Sequence, residues 1–200
     1  MSDHYYTNQP SSKHNRKEFS YTLRGRSFRF YTDAGVFSKD EVDFGSRLLI
    51  ESIVKPDVEG RILDMGCGYG PIGISLASVY TNNCVTMVDV NERAVELARL
   101  NSERNQIRNV EILQSDLFAE VPREPYSLIV SNPPIRAGKS IVHTIFEQAS
   151  EFLTEGGELW IVIQKKQGAP SAIERLDSIY NEVDVVEKKK GYHIIRAKKH

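Results

Sequence analysis

The segment Asp64-Met65-Gly66-Cys67-Gly68-Tyr69-Gly70 follows the short apolar run Arg61-Ile62-Leu63 and precedes Pro71. An acidic residue at a strand end, followed by glycines at every second position, is typical of a backbone that passes close beside a cofactor. Proline suits the first turn of a helix because the N–H that it lacks would have no helical partner there. The segment therefore predicts a strand, a cofactor-binding loop and a helix that begins at Pro71.

Short apolar runs alternate with helical patterns from this segment to the end of the chain, which is the βαβ pattern of a parallel sheet. Helical patterns are predicted after Pro71, after the N-cap Asn91, from about Ser140 to Leu153 with a stop at Gly156-Gly157, and near 171 to 180. Strands are predicted near 61 to 65, 84 to 88, 110 to 114, 127 to 131 and 158 to 163, and a closing antiparallel pair at 183 to 186 and 192 to 197.

The residues before this alternating region predict a small extension. Residues 1 to 18 are polar, and Phe19 to Tyr31 alternates apolar and polar positions around Arg24-Gly25-Arg26, as in a β-hairpin. Ser38-Lys39-Asp40-Glu41 has the pattern of a capping box, which opens a helix that must stop near Lys55 because Pro56 follows. We therefore expect an N-terminal extension over 1–55, packed on a catalytic domain over 56–200.

The composition limits the classes of protein to consider. Two hundred residues, 40 % hydrophobic and 26 % charged, suit one globular domain, and the net charge of -1 means that any contact with nucleic acid must come from a local basic patch. Two cysteines are too few for a disulfide framework or a zinc cluster, and the five histidines show no metal-ligand spacing. No apolar run approaches the ~18 residues of a membrane span. The sequence predicts a soluble cytoplasmic protein without a metal and leaves the oligomeric state open.

Polar side chains follow four of the predicted parallel strands in order along the chain: Asp64, Asp89, Asp116 and Asn132. The carboxyl ends of parallel strands share one edge of the sheet, where open α/β folds bind ligands. For a cofactor that contains adenosine, we expect Asp89 to accept hydrogen bonds from the ribose hydroxyls and Asp116 from the adenine amino group. An alternative register, Gly68-x-Gly70-x-x-Gly73, has the dinucleotide pattern and leaves a nicotinamide-dependent oxidoreductase open.

The segment Asn132-Pro133-Pro134-Ile135 follows the fourth of these strands. Two successive prolines restrict the backbone and offer no N–H, so carbonyl acceptors dominate locally. The side-chain oxygen of Asn132 and the carbonyl of Pro133 can accept from the two N–H donors of a planar amine. This favours a more tetrahedral nitrogen whose lone pair can attack a methyl group on a sulfonium donor without a strong general base.

With these motifs the chain resembles the class I S-adenosylmethionine-dependent methyltransferases over roughly residues 35 to 200. It is most similar to the catalytic domain of bacterial small-subunit ribosomal RNA guanine-N2 methyltransferases, through Gly35-Val36-Phe37-Ser38, Asp43-Phe44-Gly45, the Asp64 to Gly70 loop and Asn132 to Lys139. The resemblance implies a Rossmann-like α/β fold with a mostly parallel seven-stranded sheet, its last strand antiparallel, and helices on both faces.

The resemblance also implies roles for individual residues. Catalytic positioning falls to Asn132, Pro133, Pro134 and Ile135. The residues that contact S-adenosylmethionine are Phe37, Asp64, Met65, Gly66, Cys67, Gly68, Gly70, Asp89, Val90, Asp116, Leu117 and Asn132. Two departures stand out: many relatives have Tyr or Phe where this chain has Ile135, and many carry a second, degenerate copy of the domain, for which this chain is too short.

The N-terminal region suggests a surface for RNA. Nine of the eighteen aromatic residues precede Gly45, and residues 1 to 32 hold six basic side chains against two acidic ones. Such a mixture suits single-stranded RNA, with Arg24 and Arg26 as candidate contacts, although a hairpin that packs its rings on the domain and solvates its arginines has the same composition. Arg136 and Lys139 flank the proposed amine site and are further candidates for binding phosphates.

The favoured hypothesis is an S-adenosylmethionine-dependent N-methyltransferase that acts on an exocyclic base amine, guanine N2, in ribosomal RNA or the small ribosomal subunit. A glutamine amide of a translation release factor is the alternative within methyl transfer, because it presents the same two N–H donors. A nicotinamide-dependent oxidoreductase and a non-catalytic RNA-binding protein are the alternatives from other classes.

Overall fold

The computed structural model describes residues 13–36 and 41–200. Within these residues nine strands and five helices form, in the order β1, β2, α1, β3, α2, β4, α3, β5, β6, α4, β7, α5, β8 and β9. The strands are β1 Lys17–Leu23, β2 Arg26–Thr32, β3 Arg61–Met65, β4 Val85–Asp89, β5 Val110–Gln114, β6 Tyr126–Ser131, β7 Leu153–Gln164, β8 Glu182–Lys189 and β9 Tyr192–Lys198. The helices are α1 Phe44–Ser52, α2 Pro71–Val79, α3 Glu92–Arg104, α4 Lys139–Phe152 and α5 Ala169–Asp177, with single 3₁₀ turns at Ile135–Ala137 and Lys165–Gln167.

Seven strands form the main sheet in the order β5-β4-β3-β6-β7-β9-β8. Neighbouring strands from β5 to β7 pair in parallel, whereas β9 is antiparallel to both β7 and β8. Only the last strand of the chain therefore runs against the others, and the predicted Rossmann-like sheet is confirmed. Because the five central strands run the same way, the polar residues at their carboxyl ends share one edge.

One hydrophobic cluster lies on each face of the main sheet and shows which helices cover that face. One contains residues of α2 and α3 against Ile62, Met87 and Val130; the other contains residues of α4 and α5 against Leu63, Ile129 and Ile161. Alternate strand residues point to opposite faces, so Ile62 and Leu63 lie in different clusters. The central strands are buried on both faces, as expected for parallel strands covered by helices. Within the described residues, none of the helices has the length and apolar character needed to cross a bilayer.

The predicted stop of α4 at Gly156-Gly157 is wrong. The helix ends at Phe152, and β7 begins at once with Leu153 and runs through both glycines. A Cβ on Gly157 would lie 2.9 Å from the carbonyl oxygen of Thr154 and 3.1 Å from that of Tyr126. The glycine is thus required where β7 approaches β6 with an irregular register, and it does not cap the helix.

The predicted start of α1 is also wrong. Three residues of the proposed capping box, Ser38, Lys39 and Asp40, lie outside the described residues, and the helix begins at Phe44. The N-cap is Asp43, whose Oδ2 accepts from the backbone N–H of Ser46 at 3.1 Å. The division of the chain into 1–55 and 56–200 stays a prediction.

The hairpin of β1 and β2 is attached to α3 by two asparagines that pair with the outer edge of β2. Asn101 accepts from Tyr31 N at 2.7 Å and donates to Tyr31 O at 2.9 Å, while Asn105 makes the same pair of bonds with Arg29 at 3.0 and 2.8 Å. These amides satisfy backbone groups that an edge strand leaves unpaired. The hairpin rings pack into the core, with Phe28 and Phe30 fully buried. Among the described residues, the aromatic side chains of the hairpin are therefore used for packing.

We expect Gly60→Ala to be strongly destabilising. Gly60 has a φ of +147°, and a Cβ there would lie 2.5 Å from the backbone nitrogen of Ser127. An alanine would be strained at this positive φ, and β6 cannot move away from its Cβ without disturbing the sheet. The free energy of unfolding should therefore fall by about 2 to 4 kcal/mol. Urea denaturation measures the change.

Gly25→Ala is the matched control. Gly25 also has a positive φ, of +77°, but a Cβ there meets nothing within 4 Å. Its cost is confined to backbone strain and should be about 1 kcal/mol. Equal losses for the two variants would contradict the importance of the close approach between Gly60 and β6.

Candidate active site

The loop after β3 is held open by three glycines in left-handed conformations: Gly66 at φ 75°, Gly68 at 57° and Gly70 at 107°. The N–H groups of Gly66 and Cys67 both donate to the carbonyl of Val88, at 2.9 and 2.8 Å, which ties the loop to β4. A Cβ on Gly66 would meet nothing within 4 Å, so this position opens onto free space. At Gly66 the loop therefore exposes backbone that a ligand can approach, as the sequence predicts for a cofactor site.

Asp89, at the end of β4, connects the loop to α3. Its Oδ2 accepts from Gly68 N and its Oδ1 from Asn91 N, both at 2.8 Å, and the side chain is buried. A carboxylate oxygen can accept more than one hydrogen bond, so a carboxylate at this strand end suits a ligand that carries hydroxyls. Asp89 also lines a cleft with Val90, Asp116 and Leu117.

Asp64, at the end of β3, is completely buried. Its Oδ2 accepts from Gly73 N at 2.8 Å, and its Oδ1 is buried without a hydrogen-bond partner. Burial, with a smaller contribution from the charge of Asp89, raises the pKa of Asp64 to about 7. A cation in the adjoining loop would compensate this carboxylate, which fits a ligand with a positively charged amino group.

Two clefts meet over the loop at the carboxyl edge of the sheet, and both are lined by Gly66, Asn132 and Pro134. The first cleft is completed by Asp43, Ser46, Cys67, Gly68, Tyr69, Pro71, Ile72 and Pro133. The second is completed by Met65, Asp89, Val90, Ser115, Asp116, Leu117, Ala137, Ile141 and Ile145. The second cleft has the acids and apolar walls that suit a nucleoside, and the first lies over the glycine loop.

Asn132 stands at the junction of the two clefts, and its amide is held by α1. Its Nδ2 donates to Ser46 Oγ at 3.0 Å and lies 3.3 Å from Asp43 Oδ2. Because the amino group of the side chain is engaged by the protein, Oδ1 is the atom left for a ligand, as an acceptor. Asp43 and Ser46 were not predicted as site residues. They lie 89 and 86 residues from Asn132, and no local pattern indicates the pairing.

The backbone after Asn132 turns sharply. Ile135 N donates to the carbonyl of Pro133 at 2.9 Å, and Pro134 between them has φ -76° and ψ 80°, close to an inverse γ-turn. The Pro133 carbonyl, predicted to receive an amine proton, therefore already accepts one bond and keeps its second lone pair. The following 3₁₀ turn over Ile135–Ala137 leads directly into α4.

The structure does not bring all predicted site residues together. The cofactor candidates other than Phe37, Asp64 and Gly70 line the two clefts, and Phe37 lies outside the described residues. Gly70 and Asp64 make internal bonds instead: Gly70 N donates to the Cys67 carbonyl, and Asp64 accepts from Gly73 N in α2. Arg136 and Lys139 are exposed beside the junction, at the 3₁₀ turn and the start of α4.

The predicted RNA contacts Arg24 and Arg26 lie at the other edge of the sheet. Arg24 donates to the carbonyls of Ile50 and Ile53, at the end of α1, at 3.0 and 2.8 Å. Arg26 donates to the carbonyl of Asn105, at the end of α3, at 2.9 Å. The carboxyl-terminal ends of α1 and α3 lead into β3 and β5, so they lie at the amino ends of the strands. Asn132 follows β6 and lies at the carboxyl ends, away from both arginines. Their contacts favour a structural role.

Comparisons with known proteins identify the family. The family described as "Methyltransferase small domain" matches residues 27–196. The chain is 61 % identical, over the full length of both chains, to "Uncharacterized protein YbxB" of Bacillus subtilis. It is 30 % identical to "Ribosomal RNA small subunit methyltransferase C" of Vibrio parahaemolyticus, over 92 % of this chain and 53 % of that protein.

Among solved structures, one similar fold is the Thermus thermophilus 16S rRNA N2 G1207 methyltransferase RsmC in complex with AdoMet and guanosine. The TM-score is 0.83 at 24 % identity, and the alignment covers 96 % of this chain and 52 % of that one. The chain thus spans about half the length of the ribosomal RNA methyltransferases that it matches. With the family match extending over most of the sheet and its helices, the chain belongs to the methyltransferase small-domain family.

Proposed function

We propose that this protein transfers a methyl group from S-adenosylmethionine to the N2 amine of a guanine in small-subunit ribosomal RNA. The observation that carries the proposal is Asn132, fixed by Asp43 and Ser46 at the junction of the two clefts, with Oδ1 as its remaining acceptor. Family membership supports methyl transfer, and the similarity to ribosomal RNA methyltransferases supports the class of substrate.

The methyl donor is S-adenosylmethionine, and the residues of the clefts fit it. Asp89 and Asp116 supply acceptors for the ribose and adenine, apolar residues such as Ile141 and Ile145 flank the base, and Asp64 supplies negative charge beneath the glycine loop. When bound, the donor supplies an electrophilic methyl group on a sulfonium.

The residues of this chain orient the nitrogen that accepts the methyl group. Asn132 Oδ1 and the free lone pair of the Pro133 carbonyl accept from the two N–H groups of the target amine. These bonds localise the nitrogen lone pair and hold it in place, so that the rate gain comes from orientation and electrostatics. As the new N–C bond forms, the S–C bond breaks and the thioether leaves; the methylated nitrogen is then strongly acidic and loses one proton to water. Ile135 offers apolar contact to the target base, while Arg136 and Lys139 are placed to contact its phosphates.

Labelled-donor incubation with separate substrates tests the proposal. S-adenosylmethionine carrying a tritiated methyl group is mixed with small ribosomal subunits, naked small-subunit RNA and a translation release factor. We expect label in the RNA, recovered as N2-methylguanosine after nuclease digestion. Label only in the release factor would favour the glutamine-amide alternative, and no label in any substrate would contradict methyl transfer. The oxidoreductase hypothesis finds no support in the family match.

The ionisation of Asp64 predicts that donor binding depends on pH. Burial raises the pKa of Asp64 to about 7, so the carboxyl is largely protonated at pH 6 and ionised at pH 8. A nearby ammonium group on the ligand lowers this pKa, so binding releases a proton and must tighten as the pH rises through 7. We expect the dissociation constant for S-adenosylhomocysteine to fall about tenfold from pH 6 to pH 8 in calorimetric titrations.

Asp64→Asn is the control for this prediction, because the amide has a similar shape and does not titrate. Its donor affinity should be weaker and nearly constant between pH 6 and pH 8. A variant that keeps the full pH dependence would assign it to another group.

A further inference from the structure

Basic side chains concentrate on one part of the carboxyl edge, beyond Asn132. Three stretches meet there, residues 135–143, 163–172 and 186–193, and together they contain seven basic residues against the single acid Glu187. The chain as a whole has a net charge of -1, so this excess of six positive charges is a local feature. The basic rim, as we name it, consists of Arg136, Lys139, Lys165, Lys166, Lys188, Lys189 and Lys190.

The fold explains why these distant stretches come together. Lys165 begins the 3₁₀ turn that follows β7, and its N–H donates to the carbonyl of Gly191, in the turn between β8 and β9, at 2.8 Å. Lys190 Nζ lies 4.8 Å from the centre of the Phe44 ring, next to Asp43, which anchors Asn132. The basic rim is therefore continuous with the methyl-transfer site.

Four lysines of the basic rim form no ion pairs that would hold the fold together. Of the residues in 13–36 and 41–200, no acidic side chain forms an ion pair with Lys165, Lys166, Lys188 or Lys189. Elsewhere, basic side chains are engaged: Arg196 binds Asp184 at 2.5 Å, and Arg61 binds Glu111 at 2.7 Å. Exposed and unpaired lysines in a cluster repel one another, and a polyanion would relieve that repulsion.

Two histidines near the basic rim have lowered pKa values. The pKa of His193 is lowered, first by burial and then by the charges of Lys188 and Lys165. The pKa of His143 is lowered in the same way, by burial and by the charges of Lys139 and Arg175, with Glu147 opposing. Burial is the larger cause for both histidines, and the neighbouring positive charges lower the pKa in the same direction, as expected on a basic surface.

A cleft of about 410 Å³ lies between α4 and α5 within the basic rim. Its apolar lining comes from Ile135, Val142, Ile163 and Ala172, and its polar lining from Lys139, His143, Gln167 and Ser171. The volume suits a nucleobase, and Ile135, which lines this cleft, follows Asn132-Pro133-Pro134 directly in the chain. An apolar floor between cations is the combination that single-stranded nucleic acid requires, with a surface for an unstacked base and charge for the backbone.

We propose that single-stranded RNA lies along the basic rim, with its phosphates on Lys165, Lys166 and Lys188 and one unstacked base in the cleft between α4 and α5. The choice of RNA as the polyanion rests on the proposed function. RNA binding is thus assigned to the basic rim and not to the N-terminal hairpin. The rings of the hairpin are packed, and its Arg24 and Arg26 bind backbone carbonyls of the protein.

Equilibrium anisotropy with a fluorescein-labelled, 20-nucleotide single-stranded RNA tests the basic rim without the donor. The double variant Lys166→Ala with Lys188→Ala should bind about 10- to 30-fold more weakly than the parent at about 0.1 M salt. Its plot of log affinity against log salt should be less steep by about 1.4, since each lost phosphate contact removes about 0.7 on single strands.

The matched control removes two cations from the opposite edge. Arg108 precedes β5 and Lys198 ends β9, and neither forms an ion pair with another of the described residues. Arg108→Ala with Lys198→Ala changes the net charge by the same amount and should alter RNA affinity less than twofold. Equal weakening in the two variants, or none in either, would overturn the proposal.

Photo-crosslinking of the unmodified protein gives a second, independent measurement. RNA that contains 4-thiouridine should form adducts with residues of 135–143 and 163–172, mapped by mass spectrometry. Adducts confined to the hairpin, 17–32, would overturn the proposal. If RNA binds through the basic rim but no methyl group is transferred, only the proposed function is refuted. If a rim variant binds RNA like the parent and still methylates it, only the role of the basic rim is refuted.

Discussion

Asn132→Ala is expected to lower the rate of methyl transfer at saturating donor by about 100- to 1000-fold, the usual cost of removing one positioned hydrogen-bonding group that acts on the transition state. The affinity for S-adenosylhomocysteine should change by less than about threefold, because the glycine loop, Asp64 and Asp89 are unaltered. Single-turnover kinetics on RNA and calorimetry measure the two quantities separately. A variant that turns over like the parent would remove Asn132 from the chemistry.

Ser46→Ala separates the placement of Asn132 from its presence. The variant loses the 3.0 Å bond to Asn132 Nδ2 but keeps the amide and its contact with Asp43. We expect an intermediate loss of about tenfold in rate, with donor affinity unchanged. A loss as large as that of Asn132→Ala would mean that Ser46 has a direct role, and no loss would mean that Asp43 holds the amide alone.

Asp89→Ala should abolish useful donor binding and also weaken the fold. Asp89 accepts from two backbone N–H groups, of Gly68 and Asn91, and removing it leaves both buried donors without this partner. The free energy of unfolding should fall by about 2 to 4 kcal/mol, and the dissociation constant for S-adenosylhomocysteine should rise by about 100-fold or more. Urea denaturation and calorimetry measure the two effects.

Asp116→Ala distinguishes loss of binding from loss of structure. Asp116 also follows a strand of the sheet and lines the same cleft as Asp89, but its side chain is exposed. Donor affinity should fall while the free energy of unfolding stays within about 0.5 kcal/mol of the parent. If Asp89→Ala were equally harmless to stability, the hydrogen bonds from Gly68 and Asn91 would be of little consequence to the loop.

The parallel part of the sheet could be predicted because its determinants are local in sequence. Apolar runs of five or six residues, Pro71 at the start of α2 and Asn91 as the N-cap of α3 each specify one element. The order of the strands then places Asp64, Asp89, Asp116 and Asn132 at one edge without further information. This is why the two ligand clefts contain most of the predicted cofactor residues.

The features that sequence patterns missed depend on contacts between distant residues. Gly157 resembles a helix stop in sequence. The structure requires a glycine there partly because a Cβ would crowd the carbonyl of Tyr126 on the neighbouring strand. Arg24 and Arg26 resemble RNA contacts in composition, yet both bind carbonyls at helix ends. The bond between Ser46 and Asn132 spans 86 residues, and a single sequence carries no signal for it.

The most direct test of the central claim is a crystal structure with S-adenosylhomocysteine. We expect the adenosine to occupy the cleft lined by Asp89 and Asp116, with the sulfur at the junction formed by Gly66, Asn132 and Pro134. Asn132 Oδ1 and the Pro133 carbonyl should then face the space in front of the sulfur. A sulfur bound away from Asn132, or an Asn132 amide turned with its nitrogen toward that space, would contradict the account.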